Sequence, residues 1–159
     1  MNIIGVDPGA CGAITSINNE ELLVRDMPVY EITKGKSVRK RIDIKRLIDI
    51  FKTESPDHAY VEQVSAQFGN GAASAFSFGW ACCAVEAALI ACGIPFTYVT
   101  PQKWKKELQV PADKDGARMM ASRLLPKYAH NWERKKDDGR AESALIALWG
   151  RKHQGLRTQ

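Results

Sequence analysis

Ile3-Ile4-Gly5-Val6-Asp7-Pro8-Gly9 is the stretch of sequence that decides the fold. A short aliphatic run stops at an acidic residue and a Pro-Gly pair, which predicts a strand that ends in a carboxylate and a turn. Gly12–Ile17 and Leu22–Val24 predict two further strands, with Asn18-Asn19 in the turn between them. Because these connections are short, we expect the sheet to begin as an antiparallel meander.

Downstream, predicted helices alternate with strands. Ala59–Glu62 and Phe96–Val99 predict two more strands, and a helix capped by Asp43 precedes the first of them. Small and apolar residues from about Ala72 to Cys92 predict a buried helix between the two strands. Shorter helical pieces are expected around 102–108 and 115–125, and a last helix from about 138 to 151.

This order predicts an α/β fold with a five-stranded mixed sheet flanked by helices. Its three-strand antiparallel meander would be followed by two parallel strands, all within a single domain spanning residues 1–159.

Composition narrows the class of protein. The chain carries a net charge of +5 with a pI of about 9.1, which favours a polyanionic partner such as nucleic acid. The four cysteines lack the spacing of a zinc site and predict a reducing compartment. We expect a cytoplasmic protein of a bacterium or a phage-infected cell with no membrane contact: no signal peptide is evident, and Ala81–Ile94 is too short to span a bilayer.

Four carboxylates form the candidate site. Asp7 and Glu62 each close a predicted strand, so they meet if those strands are neighbours. Asp138 and Glu142 are four residues apart on the last helix and share a face, whereas Asp137 would point about 140° away from Glu142. This favours Asp138 over Asp137 without excluding Asp137.

Clustered carboxylates repel one another unless a cation joins them. Oxygen ligands suit Mg²⁺ or Mn²⁺, and two such ions can support in-line hydrolysis of a phosphodiester. The simpler interpretations are a turn residue for Asp7, a helix cap for Asp137 or Asp138, and a solvated helix residue for Glu142.

The complete pattern resembles the RuvC-type Holliday junction resolvases of the RNase H-like superfamily. The resemblance covers nearly the whole chain and rests on four motifs in order: Ile4–Gly9, Val61–Val64, Pro111–Lys114 and Asp138–Ala147. It implies an RNase H-like fold, a homodimer, branched DNA as the partner, and paired nicks in a four-way junction made with two Mg²⁺ ions per active site. The Asp-Gly-Arg-Ala-Glu spacing is more similar to that of phage-borne members.

Carried over by position, Asp7, Glu62 and Glu142 match acidic catalytic and metal-binding positions of the family. Asp138 departs from the pattern, because bacterial members place two acids three apart, where this chain has Gly139. Lys114 matches a basic residue near the scissile phosphate, and Lys106 is a second candidate.

Other residues are candidates for DNA contact. Phe68, in a glycine-flanked segment after Glu62, is suited to stacking on an unpaired base at a branch point. A basic segment that Gly35 and Ser37 predict to be a loop is suited to contact phosphates through Lys34, Lys36, Arg39, Lys40 and Arg41. A packed position is expected for Trp104.

Three alternatives keep part of this pattern. A broader nuclease for flaps and forks would share the fold and the acids. Asp-Pro-Gly also resembles the first phosphate loop of actin-like ATPases, although these need two such domains. A non-catalytic DNA-binding module would have no use for an intact set of acids.

Overall fold

In the computed structural model, residues 1–19, 21–63, 71–113 and 115–154 are described. The elements in chain order are β1 (Ile3–Val6), β2 (Ala13–Ile17), β3 (Leu22–Asp26), β4 (Val29–Lys34), β5 (Ser37–Ile42), α1 (Ile44–Glu54), β6 (His58–Glu62), α2 (Ala72–Ala91), β7 (Phe96–Val99), α3 (Pro101–Glu107), α4 (Gly116–Leu124) and α5 (Asp138–Gln154). Two 3₁₀ segments, Pro126–Trp132 and Lys135–Asp137, connect α4 to α5.

The central sheet has five strands in the order β3-β2-β1-β6-β7. The first three strands pair antiparallel, whereas β1 pairs with β6, and β6 with β7, in parallel. Val6 is opposite Val61, so Asp7 and Glu62 follow side by side at the same edge of the sheet. The predicted α/β fold with a mixed five-stranded sheet is confirmed.

The basic segment is a β-hairpin, so the prediction of a loop was wrong. β4 and β5 pair with each other as a separate two-stranded sheet, with Lys34 opposite Ser37. Gly35 has a φ of 61° in the two-residue connection, a conformation that glycine adopts without strain. The basic side chains are therefore carried on a regular scaffold.

The sheet is covered on both faces. One core cluster contains residues of α4 and α5 together with Ile3 and Tyr60, and the other contains residues of α1 and α2 together with Ile4 and Val61. Neighbouring residues of β1 and β6 alternate between the two clusters, as the two-residue period of a strand requires. Helix α1 begins as predicted, with the Asp43 side chain accepting a hydrogen bond from the backbone N–H of Arg46.

Helix α5 lies unusually close to β1. A Cβ on Gly5 would stand 2.2 Å from the Ser143 carbonyl oxygen and 2.3 Å from the Ala147 nitrogen, so only glycine fits there. A buried hydrogen bond of 2.7 Å between the Thr15 and Ser143 hydroxyls also joins this helix to β2. These contacts place the first turns of α5 beside the end of β1.

Helix α2 is only half buried, which corrects the prediction of a buried helix. Its second half contributes Ala81, Val85 and Leu89 to the core, whereas residues of its first half are largely exposed. By length and hydropathy α2 is apolar enough to cross a membrane, a property that core helices also show. The exposed part of α2 is therefore an apolar surface, not a packed element.

Candidate active site

Asp7 lies directly after β1, in a turn whose backbone folds back on its own carboxylate. Its N–H donates to the Ala13 carbonyl at 3.0 Å, and the Gly12 N–H donates to the Gly9 carbonyl at 2.8 Å. A Cβ on Gly12 would stand 2.2 Å from the Asp7 carbonyl oxygen, so the tight turn depends on glycine there. The turn holds the Asp7 side chain at the rim of the sheet.

The environment of Asp7 disfavours its charged form. Burial, followed by the negative charges of Glu142 and Glu62, raises the pKa of Asp7 from 3.8 to about 7. Lys105 acts in the opposite direction and lowers this pKa. The carboxylates of Asp7, Glu62 and Glu142 thus lie close enough for their charges to act on one another, and their predicted role as metal ligands stays a prediction.

Glu62 is buried at the end of β6 and has one well-defined partner. The Trp104 indole N–H donates to Glu62 Oε1 at 3.0 Å, and the tryptophan itself is fully buried, as predicted. Burial and the charge of Glu142 raise the pKa of Glu62, while the Trp104 hydrogen bond lowers it. Because the indole has a single N–H, Trp104 occupies only one of the two oxygens of the Glu62 carboxylate.

Glu142 comes from α5 and meets a lysine that the sequence analysis did not nominate. Lys105 Nζ lies 2.8 Å from Glu142 Oε1, and both side chains are partly buried. The ammonium also lies 5.1 Å from the Trp104 ring centroid. Burial of Trp104 fixes the rotation of α3 and directs the next residue, Lys105, toward the carboxylates, whereas Lys106 is exposed.

Asp137 and Asp138 have different partners. Asp137 is buried and accepts two hydrogen bonds of 2.9 Å from the Arg134 guanidinium, which lowers its pKa. Asp138 is half exposed and forms an ion pair of 2.9 Å with Arg118 Nε. Asp138 also lines a cleft of about 270 Å³ together with Asp113, Lys105 and Glu142. Asp137 is thus a structural cap, while Asp138 flanks the cluster and its role as a ligand stays a prediction.

Gly139 accounts for the departure from the two-acid spacing. A Cβ at this position would stand 2.9 Å from Asp7 Oδ2 and 2.9 Å from the Cys11 carbonyl oxygen. The residue three before Glu142 therefore directly contacts the Asp7 turn. In this chain glycine lets the turn approach α5, and no side chain at 139 contributes to the cluster.

The remaining candidates lie around this cluster or outside the described residues. Lys114 and Phe68 lie outside the described residues, so their roles stay predictions. Arg39, Lys40 and Arg41 lie on β5, and Lys36 lies in the hairpin connection. Lys34 closes β4.

The donor set fits a hard divalent cation. Three carboxylates from β1, β6 and α5 meet where their mutual repulsion is strong enough to raise pKa values, and a cation relieves this repulsion. Within the described ranges, no group of three or more His, Cys, Asp or Glu side chains is arranged to hold a metal ion. In this arrangement the Lys105 ammonium pairs with Glu142, so cation binding would require the carboxylates to turn toward each other.

Fold and site together define an α/β nuclease-like arrangement in shape only: a mixed five-stranded sheet of the RNase H-like fold, with a carboxylate cluster at the carboxyl ends of β1 and β6. No protein-family model and no curated protein matches the chain. Solved structures do match it. RuvC of Thermus thermophilus in complex with a Holliday junction substrate is similar with a TM-score of 0.68 and 18% identity over 99% of this chain and 97% of that one.

Two further structures are similar over nearly the whole chain. A second Thermus thermophilus RuvC structure has a TM-score of 0.62 and 22% identity, covering 99% of this chain and 98% of that one. The yeast mitochondrial Holliday junction resolvase has a TM-score of 0.56 and 18% identity, covering 98% and 81%. The resemblance to RuvC-type resolvases is thereby confirmed at the level of the fold.

Proposed function

We propose that this protein is a metal-dependent endonuclease that resolves four-way DNA junctions by paired nicks. The observation that carries the proposal is the convergence of Asp7, Glu62 and Glu142 around Lys105 at one edge of the sheet. The similarity to a RuvC bound to a Holliday junction supports branched DNA as the substrate.

The chain's own residues have distinct parts in this reaction. Asp7, Glu62 and Glu142 would hold Mg²⁺ or Mn²⁺, two ions per active site, which supply an activated water and stabilise the leaving oxygen of the phosphodiester. Trp104 keeps the Glu62 carboxylate oriented. Lys105, which pairs with Glu142 at the edge of the cluster, would be placed to offset negative charge on the scissile phosphate.

Substrate selectivity tests the proposal against the broader-nuclease alternative. Labelled four-way, three-way, flap and linear DNA of matched sequence would be incubated with the protein and Mg²⁺. We expect the four-way junction to be cut fastest, with nicks at symmetric positions in opposing strands. Equal rates on flaps and junctions would instead identify a general branched-DNA nuclease.

Lys105→Gln is expected to lower the single-turnover cleavage rate about 100-fold, because among the described residues it removes the cation that pairs with a carboxylate of the cluster. Lys106→Gln is the matched control: it removes the same charge from the exposed neighbouring position on α3. An equal loss in both variants would show that Lys105 has no special role.

We also propose that the protein acts as a homodimer, since paired nicks need two active sites. The exposed face of α2 suits this contact. It carries Phe76 and Ile90, which are 68% and 62% exposed, separated by the small exposed residues Gly79, Cys83 and Ala87. Small residues between two large apolar ones allow close approach of a second helix.

Phe76→Glu with Ile90→Glu is expected to convert the dimer to a monomer and to abolish paired nicks. Light scattering measures the mass in solution. Met119→Glu is the control, since Met119 is also exposed but lies on α4. A wild-type mass equal to that of one chain would overturn the dimer proposal.

A further inference from the structure

A second cleft lies between the hairpin and α2, apart from the carboxylate cluster. It has a volume of about 570 Å³. Residues 38–42 of β5 form one wall, and residues of α2 including Ser77, Phe78 and Trp80 form the other. Ala10 and Cys11, from the turn after Asp7, also line the cleft.

This cleft leads to the candidate active site. A Cβ on Gly9 would stand 3.8 Å from both Asp7 Oδ1 and Phe78 Cε2, so the α2 wall lies next to Asp7. The carbonyl oxygen of Cys11, which lines the cleft, and Asp7 Oδ2 each lie 2.9 Å from a Cβ built on Gly139, so both are next to the same point of α5. A chain lying in the cleft would therefore reach the carboxylates.

Within the described residues, Arg39 and Arg41 of β5 form no ion pair with an acidic side chain, and Lys40 lies opposite Glu31 across the hairpin. Elsewhere Arg25, Arg118, Arg134 and Arg140 are held in ion pairs with acidic side chains. The hairpin therefore presents positive charge to an external anion.

Arg41 and Trp80 join the two walls. The Arg41 guanidinium lies 4.6 Å from the centroid of the Trp80 ring, a cation–π contact that holds both groups at the cleft. Trp80 is partly exposed, so part of its ring surface is available to a ligand. Cationic groups beside an accessible aromatic ring are the features with which proteins hold single-stranded nucleic acid.

We propose that this cleft binds a single DNA strand, with Arg39 and Arg41 on its phosphates and Trp80 against a base, and guides that strand to Asp7. Its volume is that of a small-ligand site, which accommodates about one or two nucleotides and excludes a duplex. The inference rests on the proposed nuclease function and adds the substrate path: an unpaired strand at the branch enters between the hairpin and α2.

DNA binding without cleavage tests the cleft separately from the nuclease function. Affinities of the full chain in EDTA would be measured by fluorescence anisotropy for a single strand of about 12 nucleotides and for a duplex of the same length. Arg39→Gln with Arg41→Gln is expected to weaken single-strand binding about tenfold and to reduce the salt slope by about 1.4. Lys45→Gln with Lys52→Gln, which removes two exposed charges from α1, is the matched control and should leave the slope unchanged.

Tryptophan fluorescence gives a second readout from inside the cleft. Trp104, Trp132 and Trp149 are buried, so quenching by added DNA reports mainly on Trp80. We expect the single strand to quench the wild-type emission and Trp80→Phe to lose this response while keeping its fold by circular dichroism.

The inference is overturned if the arginine variant binds the single strand as tightly as the control, or if DNA leaves the Trp80 emission unchanged. A peptide that quenched Trp80 where DNA did not would assign the cleft to a protein partner and also overturn it. A protein that binds DNA in this way but cuts no junction would contradict the proposed nuclease function and leave the cleft assignment standing.

Discussion

Asp7→Asn is expected to reduce cleavage of a four-way junction by about 1000-fold or more while junction binding persists. The negative charges of Glu62 and Glu142 both act on the Asp7 carboxylate, so Asp7 lies between them electrostatically. Asparagine keeps the shape of this side chain but removes an anionic ligand. Cleavage would be measured under single-turnover conditions with saturating Mg²⁺, and binding by anisotropy in EDTA. Cleavage within tenfold of wild type would exclude Asp7 from the metal site.

The same variant is expected to be more stable than the wild type without metal at pH 8. In the folded protein the pKa of Asp7 is raised from 3.8 to about 7, so the folded state binds this proton more tightly than the unfolded state does. Stability of the wild type therefore falls as the pH rises from about 4 to about 7 and is then constant, whereas the asparagine does not titrate.

Thermal unfolding in EDTA measures this difference across pH. We expect Asp7→Asn to melt about 3 °C or more above the wild type at pH 8, and the gap to close toward pH 4. Added Mg²⁺ should stabilise the wild type and have little effect on the variant, since ligand binding to the folded state raises the melting temperature. If the difference in melting temperature between the two proteins does not depend on pH, the charge of the Asp7 carboxylate is not its cause.

Gly5→Ala is expected to destabilise the protein by about 3 kcal/mol, lowering its melting temperature by about 10 °C. The added methyl would meet backbone atoms of α5, Ser143 and Ala147, at distances that no side-chain rotation relieves. Because α5 must move away from β1, Glu142 would also move away from Asp7. The cleavage rate should therefore fall by more than the decrease in the fraction of folded protein.

Gly71→Ala is the matched control. No atom of the described residues lies within 4 Å of a Cβ at Gly71 and its φ is −59°, so the substitution should change stability by less than about 1 kcal/mol. Chemical denaturation at one protein concentration compares the two variants. Equal stabilities would show that α5 does not approach β1 as closely as described.

The five strands of the central sheet could be predicted from the sequence because local signals fix them, whereas the meeting of Asp7 with Glu62 depended on whether their strands are neighbours. An apolar run that ends in an acidic residue marks a strand end, and short connections fix the antiparallel meander. The parallel pairing of β1 with β6 then brings the two acids together. Helix α1 was equally predictable, since its cap and its apolar face are both local features.

The hairpin was missed although its signal was present. A two-residue connection containing Gly35 separates stretches that include Tyr30, Ile32 and Val38, which is typical of a hairpin, but Gly35 and Ser37 were interpreted as signs of a loop. The partial exposure of α2 could not be predicted because composition does not reveal which face of an apolar helix meets a partner.

Lys105 could not be distinguished from Lys106 by sequence. Which of two adjacent helical lysines points inward depends on the rotation of α3, which burial of Trp104 sets in the folded protein. The different partners of Asp137 and Asp138 likewise depend on Arg134 and Arg118, whose positions result from tertiary packing. Residues whose roles depend on such long-range contacts are the ones that pattern analysis leaves open.

Cleavage of a synthetic four-way junction, with each strand end-labelled in turn, tests the central claim most directly. With the wild-type protein and Mg²⁺, we expect nicks at symmetric positions in two opposing strands, none in EDTA, and none with Asp7→Asn. Nicking that persists in EDTA or in Asp7→Asn, or intact strands under every metal condition that leaves the protein folded and bound to the junction, would contradict a metal-dependent junction nuclease built on Asp7, Glu62 and Glu142.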